Sequence, residues 1–236
     1  MMYILAFLAL FNPYLQHHRK IFSSGPPATT VTEDGTGYTI SGSGSKTFTL
    51  SSGISAGNGV IVIASSTANA APISACSDNS SPSNGSYSLD EGLNFSGTPS
   101  GIKLCSVYAA NSLTTITVTA TQSSTRVHVL IVNNFASSSW ADTAVVGTGT
   151  QSFGTSASAT AGAAVTGTEV VIAACMVAAS GDTMGFSSYS VIYNTDTALS
   201  KLWGSAWKEV ASGTPSQNCT SSGNTAIILL LQGYKE

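Results

Sequence analysis

Charge is what this chain has least of. Of 236 residues only 8 are Lys or Arg and 11 are Asp or Glu, 8% charged with a formal net charge of -3, where an ordinary soluble domain carries about 25%. Eight basic residues give no stripe able to neutralise a run of phosphates, so nucleic acid is not an expected partner. Disorder is excluded as well, because it needs low hydrophobicity and high net charge, while 42% of this chain is hydrophobic and its mean hydropathy is +0.23. Histidine is scarce: beyond the adjacent His17 and His18 there is only His128. None of the four cysteines sits in a C-x-x-C pair, which argues against zinc. No EF-hand spacing, P-loop or dinucleotide fingerprint occurs. The expectation is therefore no metal and no cofactor.

What the chain has instead is hydroxyl groups. Ser and Thr make up more than a quarter of it, so its solubility rests on uncharged polar groups, as on the surfaces of exported or assembled proteins. Cys76, Cys105, Cys175 and Cys219 are too few and too spread for a small disulfide scaffold and read as buried thiols acting as small hydrophobes. A Cys76 to Cys105 bridge between sandwich strands is the alternative, and sequence does not decide it.

The first eleven residues, MMYILAFLALF, form the one long apolar run outside the strands. A secretory signal would want a charged segment before it and a small-residue cleavage site after it, and Asn12, Pro13, Tyr14 and Leu15 follow instead. A spanning helix needs about 20 apolar residues, and Pro13 and the polar Gln16, His17, His18, Arg19 and Lys20 arrive too early. The segment reads as an arm that docks onto sister subunits or another component. A short core element and a shallow membrane contact capped by the basic group are the less favoured readings. His17 and His18 would point to opposite faces of a strand, a poor metal pair. Ser23, Ser24, Gly25, Pro26 and Pro27 break the chain, so residues 1–27 are expected to be arm and linker and 28–236 the folded domain.

From Ala28 on, short β-branched or aromatic runs alternate with Gly, Ser, Asn and Pro clusters, and helical periodicity is nearly absent. In TTITVT, Ile116 and Val118 fall on one face and Thr115, Thr117 and Thr119 on the other, as in a half-buried strand. VIVIA from Val60 and AIILLL from Ala226 are apolar throughout and should be covered on both faces. The pattern predicts an all-β, antiparallel two-sheet β-sandwich. Residues 80–100 read as a long loop with a short strand near Tyr87, and 147–167 as a weak region of small residues in which the alternation of TSASATAGAAV allows a thin strand. No exact repeat is present, although GVIVIAS and TEVVIAACMVAA share a style suited to two halves of a sandwich.

The segments KTFTL, GVIVIAS, ISACSDNSSPSNGSYS, LCSVYAANS, TTITVTA, RVHVLIVNNF, the linker WADTAVVGTGT and the closing AIILLLQGY, in that order, resemble a jelly-roll-like β-sandwich module that recurs in bacteriophage tail, head-fibre and decoration proteins and in bacterial surface proteins. The resemblance spans about Lys46 to Tyr234 and leaves out the apolar arm. It implies a non-enzymatic structural subunit of a virion, a head decoration, fibre or tail component. The apolar arm would bind other virion proteins and, with so few charges to hold copies apart, make the chain a homo-oligomer; a host-surface glycan is a further partner this reading allows. The competing expectation is a secreted or cell-surface carbohydrate-binding β-sandwich module.

Catalytic strings are few. Gly53 to Gly57 satisfies G-x-S-x-G around Ser55, but a nucleophile elbow needs a helix after the serine, and the strand VIVIA follows. The only downstream histidine, His128, lies in the alternating RVHVLIV with Arg126 on its own face. Most acids, including Glu33, Asp34, Asp78, Asp90, Glu91, Asp182 and Asp196, sit beside Gly, Ser or Asn, where turns explain them better than a glycosidase pair does. Asp78 with Asn79, or Asp90 with Glu91, is the nearest approach to a calcium loop. Trp140, Trp203, Trp207, Tyr87 and Tyr108 are the aromatic candidates for a protein or sugar surface. No catalytic residue is expected.

Overall fold

The structure is a computed structural model that describes residues 28–68, 70–96 and 100–236; the expected docking arm lies outside these residues. The expected all-β, antiparallel sandwich is what the described residues form, with one short 3-10 turn at Ala198–Ser200 among their fifteen strands. Nine strands come from the first half: β1 (Val31–Glu33), β2 (Tyr38–Ser41), β3 (Gly44–Ile54), β4 (Asn58–Ser66), β5 (Ile73–Asp78), β6 (Ser88–Phe95), β7 (Ser100–Ala109), β8 (Leu113–Ala120) and β9 (Ser124–Val132). They make an inner sheet ordered β1-β9-β4-β7-β6, with β2 also on β9, and an outer sheet β3-β8-β5.

The second half has β10 (Ala141–Thr160), β11 (Glu169–Val177), β12 (Met184–Phe186), β13 (Ser190–Asp196), β14 (Leu202–Val210) and β15 (Ser216–Lys235), ordered β10-β15-β11-β14-β13 with β12 on β15. The ribbon formed by β10 and β15 bends where its register slips between Gln151 and Ser156. Its far part folds back over the sheet: Cys219 on that part is bonded to Cys175 of β11, whose ladder partner is Leu229 of β15. Gly147 and Gly149 make the fold-back possible. A Cβ at Gly149 would lie 2.1 Å from the Ser158 carbonyl oxygen, and one at Gly147 would lie 2.5 Å from that of Thr160.

Divided at these bends, the two halves trace one path. Residues 141–151 pair with 227–234 as β1 and β2 pair with β9, and 154–160 pair with 216–225 as β3 pairs with β8. Strands β11, β12, β13 and β14 then repeat the pairings of β4, β5, β6 and β7. Each half is a jelly roll of eight strand positions, with its fifth strand held at the edge of the inner sheet. The shared style of GVIVIAS and TEVVIAACMVAA thus marks β4 and β11, the same strand of two tandem jelly rolls.

The inner sheets face each other. Ile61, Ile63, Ile102, Leu104, Leu130 and Val132 from one pack with Val170, Ile172, Met176, Trp203, Ile228 and Leu230 from the other. The opposite face of each inner sheet is covered by its own outer layer, through Val60, Val62, Val127 and Val129 in one half and Val171, Ala173, Val177 and Leu229 in the other. Strands β4 and β11 are therefore buried nearly throughout, as continuous apolar runs require, while Ile116 and Val118 of β8 are buried and its threonines stay at the surface side.

Three expectations need correction. The stretch 80–100 contains the eight-residue strand β6, hidden in sequence because its alternation is Leu, Asp, Glu and Gly rather than apolar-polar. The segment WADTAVVGTGT is not a linker: from Ala141 it is strand, continuous through Thr160 with the start of the weak region, where the alternation of TSASAT allows a thin strand, and the small side chains of this 20-residue β10 suit close packing of the ribbon on itself. The cysteines are not thiols: Cys76 on β5 is bonded to Cys105 on β7, and Cys175 to Cys219, so that each disulfide pins an outer layer to its inner sheet.

Candidate functional site

Polar chemistry in this apolar chain collects at the rims of the contact between the two inner sheets. At one rim, β9 presents Arg126 and His128 on the face turned toward the second jelly roll, as the alternation of RVHVLIV requires. His128 is buried, with Nδ1 2.5 Å from Glu33 of β1 and Nε2 2.8 Å from Asp196 at the end of β13. A carboxylate thus stands at each nitrogen of the imidazole. Arg126 Nε donates to the same Asp196 oxygen at 2.5 Å, and its other nitrogens donate to the Thr36 carbonyl and the Thr39 hydroxyl. Tyr193 stacks on the His128 ring at 3.9 Å with planes 13° apart. Gly37, at φ +79°, leaves the space the imidazole fills, since a Cβ there would lie 2.6 Å from its Cε1. Burial pushes the Asp196 carboxyl up, but hydrogen bonds from His128, Arg126 and the Ala198 amide outweigh it and hold the group at about 2.

The opposite rim mirrors this arrangement with different chemistry. Asp90 of β6, the strand equivalent to β13, reaches across to β15, where the Tyr234 hydroxyl donates to it at 2.8 Å. Ser106 donates to the same oxygen at 2.6 Å and accepts from Trp140 Nε1 at 2.9 Å, and Lys103 Nζ donates to the Asp90 backbone carbonyl. Burial raises the Asp90 carboxyl above the usual range in spite of these donors. In both halves, then, the fifth strand sends an aspartate to a ring on the last strand of the other half.

A third cluster lies at the end of β10, β15 and β11. Glu169 is fully buried, and neither of its carboxyl oxygens has a hydrogen bond of ordinary geometry. It faces the carboxyl of Asp142, and Lys235 Nζ stands 3.6 Å from Asp142 Oδ2. Burial, then the Asp142 carboxyl, push Glu169 up to about 7. Asp142 is held below its ordinary value: burial raises it, and the Ala144 amide, Glu169 and Lys235 together pull it lower.

Among the residues singled out in the sequence, Ser55 lies exposed in the turn joining β3 to β4, between Gly53 and Gly57 at positive φ, with no histidine beside it. His128 is on the far side of β9 from that sandwich core, turned to the other jelly roll. Asp78 is enclosed by donors of its own loop, the Ser80 amide and hydroxyl, Asn84 and Tyr87. Among the described residues no group of three or more His, Cys, Asp or Glu side chains is placed to hold a metal ion. The aromatic candidates are interior or half-buried: Trp203 is 1% exposed, and Trp140, Trp207 and Tyr108 pack against the core between the inner sheets. Trp203 and Trp207 share one face of β14. The exposed ring is Phe153, at the bend of the ribbon and 76% accessible. The ion pairs and the aspartate–tyrosine contact at the two rims escaped the sequence because the partners stand 70 to 144 positions apart.

No protein-family model, no curated protein and no solved structure matches this chain.

Proposed function

We propose that the chain is a non-enzymatic structural subunit of a bacteriophage particle, a head decoration, fibre or tail component, resident in the virion in many copies and anchored by its N-terminal arm. The observation that carries this reading is the use of its ionisable groups. The two rim clusters turn inward and tie one jelly roll to the other, so a low-charge, hydroxyl-rich exterior is left around a doubly pinned β scaffold. That is the economy of a part that must be stiff and inert, and jelly rolls are a common capsid building unit.

The second reading, a secreted or cell-surface carbohydrate-binding module, is favoured by the two disulfides, which persist in oxidising surroundings. It is weakened by the burial of the aromatic candidates, since a sugar-stacking platform needs accessible ring faces. Mass spectrometry of purified virions from a host culture carrying this gene, beside a glycan array of the chain, separates the two. Stoichiometric recovery in particles supports the structural reading. Recovery in the medium alone, with saturable glycan binding, overturns it. Light scattering adds the role of the arm: the full chain should run as an oligomer and a chain beginning at residue 28 as a folded monomer.

A further inference from the structure

The cluster at the end of β10, β15 and β11 asks why a carboxyl group is buried where none is needed. Lys235 and Asp142 could form an ion pair by themselves, and burying a further acid beside them without hydrogen bonds is unfavourable. The fold nonetheless makes room for Glu169. In the ladder Lys235 lies opposite Glu169, and Asp142 opposite Gly233. A Cβ at Gly233 would sit 2.5 Å from Glu169 Oε2, so the missing side chain is the gap through which the carboxyl crosses β15 toward Asp142. The Lys235 amide donates to the Trp140 carbonyl at 2.8 Å and fixes the end of the chain against β10. Three strands thus hold an amine, a carboxyl and a second, dry carboxyl together.

We propose that this is a self-modification site: Lys235 Nζ and Asp142 Cγ join in an isopeptide bond that clips β15 to β10, with Glu169 moving the protons. The reaction is a condensation and needs no co-reactant. Glu169 gives its proton to Asp142, which becomes a neutral acid with an electrophilic Cγ, and the resulting Glu169 carboxylate takes a proton from the Lys235 ammonium. The freed lone pair forms the Nζ–Cγ bond. Glu169 then relays a proton from that nitrogen to one Asp142 oxygen, the Cγ–O bond breaks, and water departs. Ammonium and carboxylate have become amide and water, and Glu169 ends with the proton it began with. Nζ already stands 3.6 Å from Oδ2 of the carboxyl whose Cγ it must reach; Glu169 and Asp142 are buried, while Lys235, 42% exposed, enters from the rim.

Peptide mapping of the purified full chain, unfolded, reduced and digested with trypsin, tests this. The expected result is a branched peptide joining the segments that carry Asp142 and Lys235, lighter than their sum by one water. Lys235→Arg keeps the charge and the fold and should yield only linear peptides, as should Glu169→Gln; Asp142→Asn should still cross-link, now releasing ammonia. Circular dichroism confirms that each variant folds. Linear peptides alone from the folded wild-type chain, after prolonged incubation at neutral pH, overturn the proposal. So does a branched peptide that survives undiminished in a folded Glu169→Gln chain.

Discussion

The carboxylate of Asp196 lies 2.8 Å from Nε2 of His128, and through this contact the second jelly roll holds the first. The same oxygen takes Arg126 Nε, so one carboxylate meets two side chains of the partner half. Asp196→Asn keeps the size and removes the charge, leaving Arg126 and His128 facing an amide. Breaking a buried pair costs about 3–5 kcal/mol, and for groups 12–13% exposed the low end of that range applies, about 3 kcal/mol. Urea unfolding should show the midpoint falling accordingly; a midpoint within error of wild type would mean that the rim contributes nothing to holding the halves together.

The same carboxyl makes stability depend on acid. Its folded value of about 2 lies below the ordinary value of 3.8, so the stabilisation is full above about pH 4 and disappears as pH falls toward 2, where the native state loses the charge that the unfolded state has already lost. The gap in melting temperature between wild type and Asp196→Asn should therefore be constant from neutrality down to about pH 4 and close below it. A gap that instead widens in acid would assign the stabilisation to another group.

The disulfides should matter separately in each half. They close loops of 29 and 44 residues, and chain-entropy reasoning gives about 3.5–4 kcal/mol for each, against a total stability of about 5–15 kcal/mol for a typical protein. Replacing Cys76 and Cys105 by Ala, or Cys175 and Cys219, should lower the urea midpoint markedly in each case. Reductant should move the wild type toward the two variants. An unchanged midpoint for either pair would show that its outer layer is held by apolar packing alone.

What the sequence showed and what it hid divides along a physical line. The central strands were legible because burial on both faces leaves an apolar run, as in β4, β11 and the end of β15. The facing of Arg126 and His128 was legible from alternation alone. Their partners were not, since Glu33 and Asp196 are brought to them by chain reversals that no local pattern encodes. Strand β10 was hidden for a different reason: its Gly, Ser, Thr and Ala look like a loop until the ribbon folds on itself and small size becomes a packing requirement. The tandem repeat was obscured likewise, because in the second half two pairs of strands are fused into β10 and β15.

That fold-back supplies the sharpest test of the architecture. Gly149 is not at positive φ, so alanine suits its backbone, yet a Cβ there would lie 2.1 Å from the Ser158 carbonyl oxygen and 2.6 Å from its carbon. The obstacle is main chain, which cannot swing aside as a side chain would. Overpacking of this kind costs about 1–3 kcal/mol or more, and it is relieved by lifting the far part of the ribbon from the inner sheet. Lifting it carries Cys219 away from Cys175. Gly149→Ala should therefore lose stability and expose two thiols to a thiol reagent under native conditions, while Gly167→Ala, whose Cβ would meet nothing within 4 Å, should stay within about 0.5 kcal/mol of wild type with both disulfides intact. If Gly149→Ala forms both disulfides and unfolds at the wild-type midpoint, the two parts of β10 are not in contact and the second jelly roll is not closed in the way described.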